Sequence, residues 1–124
     1  MSVKDFYVML FGGFDPYEFD MYLGEMLSAK VAETEPLERR TAAFMVHIYL
    51  TEVIGEADEP SIEPAFVLKD IYECSACIRH IAQVYIKGIM QAKGQIFGVR
   101  TYVEKDEAIN IVEKVQNRGR RIRS

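Results

Sequence analysis

Cys74, Cys77 and His80 form a C-x2-C-x2-H string in a chain of 124 residues, and His47 is the other of its two histidines. Thiolate and imidazole are donors that hold zinc. On a helix each step of three residues falls 60° short of a turn, so the three side chains spread over about 120° of arc. Tetrahedral zinc needs closer convergence, and cysteine ligands usually sit on a turn or knuckle. The string therefore reads as two thiols behaving as small hydrophobes, with no metal site. Two cysteines three apart on a helix are also poorly placed to bridge each other. A thioredoxin-like use of C-x-x-C requires a preceding strand in a βαβ setting, an alternation this chain lacks. His47 stands in the apolar stretch Ala42 to Leu50 and reads as a hydrogen-bonded core or boundary imidazole.

No other constellation suggests catalysis. Gly12-Gly13 is too short to cradle phosphate, the acids are scattered over loops and helix starts, and no nucleophile stands beside a base. The expectation is a protein that is not an enzyme and needs no cofactor.

These residues must be positioned by a chain of one-domain length, with 49% hydrophobic and 27% charged residues, the balance of a protein that folds. The net charge is -4, but Arg118, Arg120, Arg121 and Arg123 all lie in the last seven residues. The body up to Asn117 is therefore at -8. An acidic body repels a phosphate backbone, which makes nucleic acid an unfavoured partner, whether through the basic tail 118–124 or a helix-turn-helix. The apolar run Phe6 to Phe11 is shorter than a signal peptide requires, and no run approaches a membrane span, so no membrane partner is expected.

Periodicity and punctuation predict four main helices. Residues 5–11 fit either a short strand or a buried helical turn. Asp15-Pro16-Tyr17-Glu18 is a helix start, followed by about three turns with Phe19, Tyr22, Leu23 and Met26 on one stripe. After the loop VAETEP, a second helix runs from Pro36 to Gly55, its middle apolar on nearly all sides and so central. Residues 56–67, with two prolines, read as a linker. Ser75 to Met90 repeats apolar residues at a 3.6 period, and Glu104 to Lys114 turns Ala108, Ile111, Val112 and Val115 inward. The chain beyond Asn117 is expected to fray.

The halves are related to each other. Tyr22-Leu-Gly-Glu-Met-Leu-Ser-Ala-Lys30 aligns with Tyr85-Ile-Lys-Gly-Ile-Met-Gln-Ala-Lys93, and Leu37 to Val46 aligns with Val103 to Val112, placing Arg39 opposite Lys105. The fold expected is all-α: a single compact domain of two helix-loop-helix repeat units, one over residues 14–55 and the other over residues 68–117.

The second unit resembles an S-layer homology domain. It has the apolar-x-Asp-apolar opening Leu68-Lys69-Asp70-Ile71, the helix end Gly88-Ile89-Met90, the loop Phe97, and Val103-Glu104-Lys105-Asp106-Glu107-Ala108 at the turn into the last helix. In the first unit Val31 takes the loop aromatic position and Leu37-Glu38-Arg39-Arg40-Thr41-Ala42 the turn. The chain departs from the family in lacking tryptophan, in carrying glutamate for the turn threonine, and in having two copies where three are usual. The resemblance implies a non-enzymatic module that binds anionic cell-wall polysaccharide, with Arg39, Lys105 and Glu107 at the glycan site near free helix amides. Family members are secreted; a chain without a signal peptide would be cytoplasmic, or an excerpt of a longer surface protein. The alternative is a helical protein-interaction or regulatory domain without a glycan site, assembling as a homodimer to cover the faces a third unit would bury.

Overall fold

The computed structural model describes residues 1 to 122, so Arg123 and Ser124 of the basic tail lie outside it. The protein is 61% helical and compact, with no strand or sheet among the described residues. The expected four main helices become six: α1 Val3–Phe11, α2 Pro16–Leu23, α3 Ala29–Thr34, α4 Arg39–Ile48, α5 Ile78–Ile86 and α6 Lys105–Gln116. Both additional helices begin at a serine whose hydroxyl accepts a backbone N–H: Ser2 from Asp5 for α1, and Ser28 from Val31 for α3. These two caps turn the ambiguous apolar run and the expected loop into helix. Helix α2 ends after two turns rather than three, leaving Met26 exposed.

Helix α4 continues as a π-helical segment, Tyr49–Ile54, and stops at Gly55, whose φ of 75° a side chain would strain. Every residue from Ala42 to His47 is buried, and α4 packs against α1, α2 and α5. In α6 the expected inward face is present: Ala108, Ile111, Val112 and Val115 are buried. Burial of Ile111, Val112 and Val115 contributes about 1.5–3 kcal/mol each as an upper bound, and of Ala108 less.

Helices α1, α4 and α6 start side by side on a shared run of backbone. The Leu37 N–H donates to Met1 O at 2.9 Å, and the Val103 N–H donates to Leu37 O at 2.8 Å. Val3 N–H reaches Glu35 O at 3.1 Å, and Arg39 N–H reaches Thr101 O at 2.8 Å. The three N-cap residues share one extended conformation, φ/ψ −87/162° at Ser2, −85/154° at Glu38 and −88/165° at Glu104. The backbone at the start of each helix is thus bonded to another helix's lead-in.

The segment expected to be a linker is a packed strap. Gln83 of α5 donates to Glu59 O at 3.1 Å and accepts the Glu59 N–H at 2.8 Å. The Lys87 ammonium, 2% exposed, donates to Ala57 O at 2.7 Å. The expected fraying after Asn117 is also corrected for residues 118–122. Arg121 is buried on Glu56, and Ile122 N–H donates to Gly88 O at 3.1 Å. Gly88 permits this approach because a Cβ there would lie 2.3 Å from Ile122 O. Proximity to buried Glu56 outweighs tail entropy here.

Candidate functional site

An open cleft of about 660 Å³ lies along α6, with residues 89–98 as its other wall and Arg39 between them. Its floor is apolar, from Ile89, Met90, Phe97 and Ile111, and its lining also includes Lys93, Thr101, Asn110 and Lys114. Tyr102, 60% exposed, and Ile96 add apolar surface. The lining also carries the carboxylates of Glu104 and Glu107.

Arg39, first residue of α4, is the most constrained of the three expected site residues. Its Nε donates to Phe97 O at 2.8 Å, Nη2 donates to Gln91 O at 2.5 Å, and Nη1 pairs with the Glu107 carboxylate. The guanidinium also lies 4.7 Å from the centre of the Phe97 ring, a cation–π distance. Burial lowers its pKa, with Asp70 opposing, yet a guanidinium stays charged at neutral pH. The structure brings Arg39 and Glu107 together on the cleft and leaves Lys105 outside its lining, exposed at the first position of α6. Lys93 and Lys114 line the cleft in its place, and neither has an ion pair among the described residues. Lys93 carried a weak signal, identity with Lys30 across the repeat; Lys114 carried none.

The wall opposite α6 is anchored by Asp70. Its Oδ1 accepts the Phe97 N–H at 2.9 Å, and Oδ2 accepts those of Gly98 and Val99 at 2.8 and 3.1 Å. Burial pushes this carboxyl up, but the three amides outweigh it and hold its pKa below the usual range. The Asp of the apolar-x-Asp-apolar opening thus shapes the loop that carries Phe97.

A second polar cluster joins α4, the strap and α5. His47, 2% exposed, is hydrogen-bonded through Nε2 to Asp58 Oδ1 at 2.6 Å and through Nδ1 to His80 Nδ1 at 2.7 Å. Arg79 holds the other Asp58 oxygen at 2.8 Å. The Nδ1–Nδ1 contact requires one ring to donate and the other to accept, so the two imidazoles cannot both be protonated. Burial, then repulsion from His47 and Arg79, lowers the His80 pKa to about 4 against the pull of Asp58. The Asp58 carboxyl, pushed up by burial, is held low by hydrogen bonds from Arg79 and His47. His47 is the satisfied core imidazole expected, but its partners, 11 and 33 residues away, had no sequence signal.

The reading of Cys74 and Cys77 as free thiols is overturned, because the two are joined as a disulfide. The physical reason is local. Cys74 lies ahead of α5 in extended conformation, and residues Ser75–Cys77 form a 3-10 turn, so the pair is not on the regular helix that would hold the sulfurs apart. A bridged pair has no thiolate to offer zinc, and among the described residues no group of three His, Cys, Asp or Glu could hold a metal ion. The three tail arginines among the described residues are likewise engaged: Arg118 and Arg121 with Glu56, and Arg120 with Glu113 at 3.7 Å. No described helix is long and apolar enough to cross a membrane. No protein-family model, curated protein or solved structure matches the chain.

Proposed function

We propose that this chain is a non-enzymatic binding module related to S-layer homology domains, and that the cleft along α6 takes a segment of anionic cell-wall polysaccharide. The observation that carries this reading is the cleft itself, in which Lys93 and Lys114 stand without ion-pair partners beside Asn110, Thr101 and exposed Tyr102. The lysines supply charge for a carboxylate or phosphate substituent, while Tyr102 and Ile96 supply apolar surface for the face of a sugar ring. Arg39 and Glu107 act by building the cleft wall, and Lys105 lies outside it.

The repeat reading is supported by the backbone. Leu37 and Val103, paired in the sequence alignment, bond in series with Met1, and their helices start from matching N-caps.

The test is co-sedimentation with purified peptidoglycan that retains its secondary polymer. The wild type is retained, and Lys93→Ala with Lys114→Ala reduces retention at least about tenfold, the equivalent of 1.4 kcal/mol. Lys105→Ala leaves it unchanged. No retention of the wild type ends the glycan reading.

A further inference from the structure

The Cys74–Cys77 bridge has a place in the fold that a structural staple does not need. It closes a loop with only two intervening residues, and a cross-link over so short a loop restricts the unfolded chain little. The backbone on either side is secured independently: upstream Asp70 accepts three amides and Ile71 is buried, while downstream Ile81 and Ala82 are buried on α5. Across the turn, Cys77 N–H donates to Cys74 O at 3.0 Å. Contacts other than the bridge thus hold the segment on both sides of it.

The two sulfurs are also unequal. Cys77 is 5% exposed and belongs to the core, whereas Cys74 is half-buried and the intervening Ser75 and Ala76 are exposed. Cys74 immediately precedes the continuous helical run of Ser75–Cys77 and Ile78–Ile86, whose first turns contain no acid. The adjacent Glu73 is paired with Arg100 at 3.9 Å.

We propose that Cys74–Cys77 is an exchangeable disulfide that accepts electrons from an external thiol, with Cys74 the sulfur attacked and Cys77 the resolving one. The external thiolate attacks Cys74 Sγ, forming a mixed disulfide and breaking the Cys74–Cys77 bond; Cys77 leaves as thiolate and takes a proton from water. A second external thiolate then attacks the external sulfur of the mixed disulfide and releases the Cys74 thiolate, which is protonated in turn. Two thiols are oxidised to one disulfide, and the protein disulfide is reduced to two thiols.

The experiment treats the oxidised full chain with excess reduced glutathione and, separately, with a peptide carrying two cysteines. Acid quenching, alkylation and intact mass are followed alongside helical circular dichroism. The bridge is expected to open while the helical signal is retained. Opening by either reagent supports exchange, and the faster one distinguishes a monothiol from a dithiol source. With oxidised glutathione, Cys77→Ser is expected to gain an adduct at least tenfold faster than Cys74→Ser. A bridge that opens only when the protein is unfolded by denaturant, or equal adduct rates in the two variants, overturns the proposal. If either variant fails to fold, the wild-type measurement decides it.

Discussion

Replacing Glu56 by glutamine removes one negative charge from between buried cations. Glu56 Oε2 lies 2.9 Å from both Lys87 Nζ and Arg121 Nη1, and Oε1 lies 3.0 Å from Arg121 Nη2 and 3.6 Å from Arg118 Nε. The side chains of Lys87 and Arg121 are 2% and 1% exposed. Burial pushes the Glu56 carboxyl up, but the hydrogen bonds and charges of Arg121 and Lys87 outweigh it and lower its pKa from 4.5 to about 2. At about 1.4 kcal/mol per unit of pKa, this sets an upper bound of about 3 kcal/mol for the charge. Screening through the solvated Arg118 side reduces it, and about 2 kcal/mol is expected, below the ~3–5 kcal/mol of a fully enclosed broken pair. In urea the midpoint should fall with little change in slope. The Ile122 amide, which bonds to Gly88 O, should lose hydrogen-exchange protection, and trypsin should cleave after Arg118, Arg120 or Arg121 in the otherwise folded variant. Because the folded pKa is depressed, the contribution is present above pH 4.5 and lost as pH falls towards 2. The gap between wild type and variant should therefore close over that range. A variant within about 0.5 kcal/mol of wild type at pH 7, with its tail still protected, would refute the role of Glu56 in holding the tail.

Two other substitutions test the supports of the site. Asp70→Asn puts an amide donor where a carboxylate accepted three N–H groups; it should cost about 2 kcal/mol in a thermal or urea melt, and a loss under about 0.5 kcal/mol would contradict the anchoring role. The pKa of His80, which faces His47, Asp58, Arg79 and Phe44, is lowered on folding from 6.5 to about 4. Its contribution is present above pH 6.5 and lost as pH falls to 4, amounting to about 1–2 kcal/mol once its partial solvent contact is discounted. Stability of His80→Gln followed over that range should show a correspondingly shallower slope; an unchanged slope would rule out His80 as its source.

How much was legible in the sequence differs between elements. The apolar period of α6, the all-round burial of α4 and the glycine that ends its π-helical extension are local properties, and they were read correctly. Helices α1 and α3 were missed or left open because single serine caps decided them against weak periodicity. Of the expected glycan residues, Arg39 and Glu107 meet on the cleft because the starts of α4 and α6 are joined through adjacent backbone; Lys105 occupies the corresponding helix position but faces solvent.

By itself the sequence determined that the chain folds as helices around an apolar core, since composition, caps and a 3.6-residue period act within a few turns. Tertiary structure alone decided which charges are buried. Glu56 and Arg121 lie 65 residues apart, Arg39 and Glu107 lie 68 apart, and His47 finds Asp58 and His80 on two other segments. No periodicity encodes such pairs, because an ionic side chain is drawn inward only where the rest of the fold supplies its counter-charge and closes off water.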